Sequence, residues 1–262
     1  MLKVVILAIL TVLGTGTAVP SPSLPKAGSE ASAADSAAYS VLATKAARFF
    51  HYREWQSAAA LYGMMIEKRP QLADSYGHAI VAAGMTGDTL RQISLSKYAF
   101  TAHVPFDSLF QAVEHVSFSI GQTSLYERYL IMVRSEQPWF ARAIDAYLLR
   151  YYTFRSDAPG MIAYSLRMLD HAPYNLQFLY SLARGYLFDG QPDKAIETYL
   201  KIVSIAPQSY EALLYLANYY YDRRGADTAN ADKALDYFRQ AKSVRSTPFI
   251  DGRIADLSRQ DR

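Results

Sequence analysis

The sequence predicts an all-α solenoid of stacked helix-turn-helix units, and three observations predict it. Prolines fall at positions 70, 105, 138, 173 and 207, separated by 35, 33, 35 and 34 residues. Between the prolines, apolar and small residues recur in the same order at helical spacing. A short break divides the two apolar stripes of a unit, most plainly at Asp189-Gly190-Gln191-Pro192. A hairpin of this kind leaves apolar surface bare and must stack on a neighbour.

The stretch 179–207 shows the unit in its most regular form. Leu179, Leu182 and Tyr186 lie at i, i+3 and i+7, on one face of a first helix. Gly190 suits the turn backbone, and Pro192 suits the first position of the following helix. Ala195, Tyr199 and Ile202 form the facing stripe of a second helix. Ala183 and Ala195 are small where the two helices approach, and Pro207 ends the unit because it cannot continue a helix.

The same order recurs along the chain. Before Pro70 stand Leu42, Ala46 and Phe49, then Ala58, Tyr62 and Met65. Before Pro173 stand Ile144, Tyr147, Leu148 and Tyr151, then Tyr164 and Met168. After Pro207 the order returns as Leu213, Leu216, Ala217 and Tyr220, then Ala234, Phe238 and Ala241, with a longer connection between the halves.

Leu179, Leu182, Ala183, Tyr186, Ala195, Tyr199 and Pro207 fill the pattern of the tetratricopeptide repeat in order, and residues 37–246 resemble an array of that family. The resemblance implies a right-handed superhelical solenoid. Six units are expected: 37–70, 71–105, 106–138, 139–173, 174–207 and 208–247. Units two and three depart from the pattern, with Gln92 and Ser96 where Ala and an aromatic belong. Leu148 replaces the small residue in unit four, and the stretch DRRGADTAN lengthens the turn of unit six. Phe249, Ile250, Ile254 and Leu257 alternate with charged residues over 248–262, which fits a terminal capping helix and tail.

The resemblance also implies a concave groove lined by first helices. There it places Arg142, Asp145, Tyr152, Tyr180, Arg184, Phe188, Asn218 and Tyr221. Tyrosine gives contact area at low entropic cost and carries a polar tip, which suits peptide capture. The chain has 21 tyrosines, and those the repeat does not require are the candidates. Some family members hold chaperone C-termini with a Lys/Asn/Asn/Lys/Arg clamp. The corresponding positions here include Ala43, Ala47, His78, Tyr180 and Arg184, so that clamp is absent.

Composition narrows the chemistry. The chain of 262 residues is 51% apolar and 19% charged, with a net charge of +3. No segment concentrates basic charge as a phosphate-tracking surface does, so nucleic acid is not an expected partner. With no cysteine, disulfides, thiolate metal sites and cysteine nucleophiles are excluded. The five histidines have no partner at i+3 or i+4, and no metal or other cofactor is expected. Ser94-Leu95-Ser96-Lys97 has the Ser-x-x-Lys spacing of a nucleophile motif, but its companion motifs are missing and it lies in a helical repeat. No phosphate-cradling glycine loop or Gly-x-Ser-x-Gly elbow is present, so the chain is read as non-catalytic.

The first residues carry an address. Lys3, the apolar run 4–13 and Gly16-x-Ala18 have the layout of a secretory signal peptide over 1–18. The alternative is an uncleaved anchor, for which the uncharged run 4–19 is short of the ~20 residues a span needs. Residues 19–36, rich in Pro, Ser and Ala, read as a flexible leader. The expectation is an exported protein, periplasmic with secretion as the alternative, with no lipid attached through cysteine and no stable span after cleavage. Its expected work is binding a protein or peptide partner in the groove. The alternative is a structural subunit of an envelope complex, docked through its outer face or array ends, with units two and three as a candidate surface.

Overall fold

The computed structural model describes residues 27–260. The signal segment 1–18, the beginning of the leader and residues 261–262 lie outside the described residues. Six helical hairpins follow one another: α1 (Ala27–His51) with α2 (Trp55–Lys68), α3 (Ala73–Met85) with α4 (Thr89–Thr101), and α5 (Phe106–Ser119) with α6 (Thr123–Glu136). Then come α7 (Ala141–Arg155) with α8 (Ala158–His171), α9 (Leu176–Phe188) with α10 (Pro192–Ile205), and α11 (Tyr210–Asp222) with α12 (Thr228–Val244). A closing helix, α13 (Pro248–Gln260), packs on α12. A 3-10 turn, Pro138–Phe140, leads into α7, and no strand occurs among the described residues. Helix α1 begins at Ala27, inside the stretch read as leader, where the Ala-rich composition favours a helix.

Local chemistry sets the helix starts. Asp88, Asp157, Asn175 and Asp227 each accept a backbone N–H of the first turn through the side-chain oxygen. Pro159 and Pro192 stand in the first turns of α8 and α10, where a missing N–H costs nothing. The expected stripe residues become core: Leu179, Ala183, Ala195, Tyr199 and Ile202 are buried, as are Leu213, Ala217, Ala234 and Phe238. Each fully buried Leu or Ile contributes roughly 1.5–3 kcal/mol of transfer free energy.

Stacking is regular except at one junction. Helices α2, α6, α8 and α10 each pack on the first helix of the following pair. Between the second and third pairs, α5 packs along α3 instead of α4. Small residues allow it: a Cβ added at Gly77 of α3 would stand 2.8 Å from the Ala112 backbone carbon of α5. The polar residues that break the pattern here are buried and bonded. Gln92 donates to the Ile80 carbonyl at 3.0 Å, and the Ser96 hydroxyl lies 2.8 Å from the Gln92 carbonyl and 3.0 Å from the Tyr129 hydroxyl. Gln92 and Ser96 therefore tie the second pair internally and to α6.

Candidate binding clefts between repeats

The eight residues assigned to a groove occupy different settings. Asp145 on α7 is 7% exposed; Arg134 of α6 donates to both its oxygens, Nε to Oδ1 at 2.6 Å and Nη2 to Oδ2 at 3.3 Å. Arg167 of α8 adds a charge 3.8 Å from Oδ1. Tyr152 donates its hydroxyl to Glu127 at 2.5 Å and stacks on Tyr164, centroids 5.3 Å apart. Burial first, and then the bond to Glu127, push the Tyr152 phenol upward in pKa. Tyr221 is 6% exposed, with Arg224 of its own turn and Arg253 of α13 lying 3.8 and 4.1 Å from its ring centre.

The other five are more accessible. Arg142 is exposed near the start of α7. Tyr180 pairs its hydroxyl with Ser209 and meets Tyr199 edge-on at 6.2 Å. Arg184 lies 6.0 Å from the ring centre of exposed Phe188. Asn218 donates to the Leu214 carbonyl at 2.9 Å and lines a cleft. Tyr180 and Asn218 thus gather about Tyr199, Arg184 joins Phe188, and Asp145 and Tyr221 turn inward.

Two clefts open along the later pairs. The first, about 590 Å³, lies between α7 and α9, which α8 holds apart. Leu149, Phe154 and Phe178 form its apolar wall, with Thr153, Gln177 and Ser181 as polar groups. Arg150 also lines it, but its guanidinium is engaged by Glu114 at 2.5 Å, so the cleft has little free charge. The second, about 520 Å³, is lined by Tyr199, Tyr210, Leu214, Tyr215, Asn218 and Arg245, together with Glu211. Here Tyr215 stacks on Tyr199 at 4.3 Å and Arg245 lies over Tyr210 at 3.8 Å.

The same face is closed at the second pair. Gly77 and Val81 are the fifth and ninth residues of α3, the places that Tyr180 and Arg184 hold in α9. Both are buried, where α5 packs on α3.

One backbone feature repeats through the array. The turn inside the first five hairpins places one residue in the left-handed region: Arg53, Gly87, Gly121, Ser156 and Gly190, with φ of 61°, 75°, 74°, 53° and 71°. These positions recur about every 34 residues. Together with the buried alanines Ala58, Ala195 and Ala234 at the matching place of second helices, they decide the architecture. The fold is a tetratricopeptide solenoid.

No family model matches the sequence, and no curated protein matches it. Among solved structures, the chain is similar to a chain of Naa15/Naa10 bound to HypK-THB, with 16% identity and a TM-score of 0.48. That match covers 85% of this chain and 34% of the other, so the chain spans about a third of that protein's length. It is also similar to a putative protein binding protein from Bacteroides ovatus, at 15% identity and a TM-score of 0.47, covering 72% of this chain and 100% of that one. A third is the C-terminal part of a TPR repeat-containing protein from Cytophaga hutchinsonii: 15% identity, TM-score 0.44, with 77% of this chain and 78% of that chain covered.

In this tetratricopeptide array, sequence reasoning missed Phe154 and Phe178, the main apolar walls of the first cleft. Their signal was available: large aromatics at positions that the repeat does not require. Among the described residues no group of three or more His, Asp or Glu is placed to hold a metal, and no helix is long and apolar enough to cross a membrane.

Proposed function

We propose that the chain is a non-catalytic scaffold that binds an apolar peptide segment or partner protein across the cleft between α7 and α9. The observation that supports this most is that cleft's aromatic wall, where Phe154 is 69% exposed on α7 beside Phe178 of α9. Large exposed apolar groups on a fixed backbone lose little entropy on binding and gain contact area. We place the protein in the cell envelope on the strength of the signal-like layout of 1–18, and extend the groove to Tyr180, Arg184 and Asn218 by the repeat geometry.

The test is a peptide library panned on the purified protein, followed by affinity measurement of the enriched sequences. The double variant Phe154→Ser, Phe178→Ser should weaken them ~100-fold with helicity preserved, and melt somewhat lower because Phe178 is half-buried against the core. Undiminished affinity in a folded double variant rejects the cleft.

A second reading, a structural subunit docked through second helices, draws on a separate observation. Met64 and Tyr98 are exposed at equivalent places on α2 and α4, and Ile131 and Leu166 are exposed one residue earlier in the repeat on α6 and α8. A stable complex disrupted by polar substitutions in that row, and unmoved by the cleft variant, favours it.

A further inference from the structure

We infer that the cleft at the N-terminal end of the array receives a carboxylate carried on an apolar body, with Arg53 as its anchor. This site is separate from the α7–α9 cleft and does not depend on it. The cleft measures about 490 Å³. Its lining includes an aromatic wall, Phe50, Trp55 and Tyr62, and a basic rim, His51, Arg53 and His78, with Ala47, Ser119 and Ile120 completing it. No carboxylate belongs to the lining. Two acids stand just outside the lining: Asp74 is 3.6 Å from His78 Nδ1 on α3, and Glu54 lines a neighbouring depression with Trp55. Asp74 offsets His78, so Arg53 is the uncompensated permanent cation of a lining without a carboxylate, and it makes that part of the cleft complementary to an anion.

The backbone at Arg53 supports the assignment. Its φ of 61° puts it at the left-handed turn position that is glycine in the second, third and fifth hairpins. Such a conformation disfavours side chains with a Cβ, and arginine gains nothing from it locally. Arginine therefore stands here against the local backbone preference, and its side chain lines the cleft. A guanidinium offers paired N–H groups that match the two oxygens of a carboxylate.

The wall is already assembled. Tyr62 stacks on His78, centroids 4.6 Å apart with the planes 18° from parallel, and Phe50 meets Trp55 edge-on at 5.1 Å. Pre-formed aromatic contacts reduce the ordering that a ligand must impose. They select an anion with an apolar body over a small inorganic one. Two sources carry that chemistry, a peptide ending in a free apolar residue and a small aromatic acid.

Trp55 reports on the cleft directly. In a Trp139→Phe background it is the sole tryptophan, since the chain has two. Its emission is titrated with 3-phenylpropanoate, with a hexapeptide ending in free-acid phenylalanine, with the same hexapeptide amidated, and with inorganic phosphate. Saturable binding of one or both free acids, at least ~10-fold weaker for the amide and for phosphate, supports the proposal. Tighter binding of the peptide identifies a chain end as the ligand; equal or tighter binding of phenylpropanoate identifies the small acid. Arg53→Gly should melt no lower than the parent, because glycine suits the turn, yet bind at least ~10-fold more weakly. Arg53→Asn, also tolerated at positive φ, should show the same loss. Absence of saturation by either acid, equal affinity for amide or phosphate, or full affinity in both folded Arg53 variants overturns it.

Discussion

Arg134 and Asp145 join α6 to α7 through two hydrogen bonds in which both carboxylate oxygens accept, at 2.6 and 3.3 Å. The two partners are unequally placed: the Arg134 side chain keeps 34% of its surface in solvent and the Asp145 side chain only 9%. The pair therefore spans the junction between the third and fourth hairpins with its acid inside and its base at the edge.

That asymmetry sets the cost of breaking it. Arg134→Ala leaves a buried carboxylate with Arg167 at 3.8 Å as its remaining cation, and should destabilise the protein by about 2–3 kcal/mol. Asp145→Ala leaves an arginine that can rehydrate, at a cost of about 1 kcal/mol. Urea unfolding of both single variants and the double variant measures the difference; equal costs for the two single changes reject the account.

The α3–α5 junction makes a similar contrast between two glycines. In Gly77→Ala the new methyl would stand 2.8 Å from Ala112 backbone, and the overlap should cost about 1–3 kcal/mol beyond the ~1 kcal/mol that alanine returns in helix propensity. At Gly63 of α2 the nearest atom is the flexible end of Arg91, at 3.4 Å. Gly63→Ala should therefore be neutral or stabilise by up to about 1 kcal/mol. Thermal melts of the pair test this, and a stabilising Gly77→Ala would show that α5 does not approach α3 so closely.

Buried phenols make the fold sensitive to alkali. Burial pushes Tyr62 up to about 12, with Asp74 and Tyr39 adding to it, and burial with Tyr98 nearby does the same for Tyr76. Both begin from an ordinary value of 10.0. The stabilisation is complete below pH 10, because folded and unfolded chains both keep the proton there. Between pH ~10 and ~12 the unfolded chain releases it first, so stability falls by up to about 1.4 kcal/mol per pH unit for each residue. Urea midpoints should drop steeply across that window and less steeply in Tyr62→Phe. A flat midpoint up to pH ~11.5 contradicts the assignment.

Much of the architecture was readable because a repeat states its needs locally. Asp189-Gly190-Gln191-Pro192 marked a turn, and the structure puts Gly190 at a φ of 71° and starts α10 at Pro192. Ala183 and Ala195 marked a close helix pair, and both are fully buried. Side chains on the rim were harder to place. Tyr221 follows Tyr220, the residue the pattern assigns inward, yet Tyr221 is the more buried because α13 brings Arg253 over its ring. Asp145 turns inward because Arg134 and Arg167, on two other helices, meet it there.

The sequence by itself determined the period, the turns and the residues that face inward within each hairpin, since these depend on contacts a few residues apart. The tertiary structure alone decided how one hairpin lies on the next. Gly77 lets α5 settle on α3 and closes that face, while α8 keeps α7 and α9 apart and leaves a cleft walled by Phe154 and Phe178. Such angles follow from side-chain volumes meeting across different hairpins, and no local pattern records them.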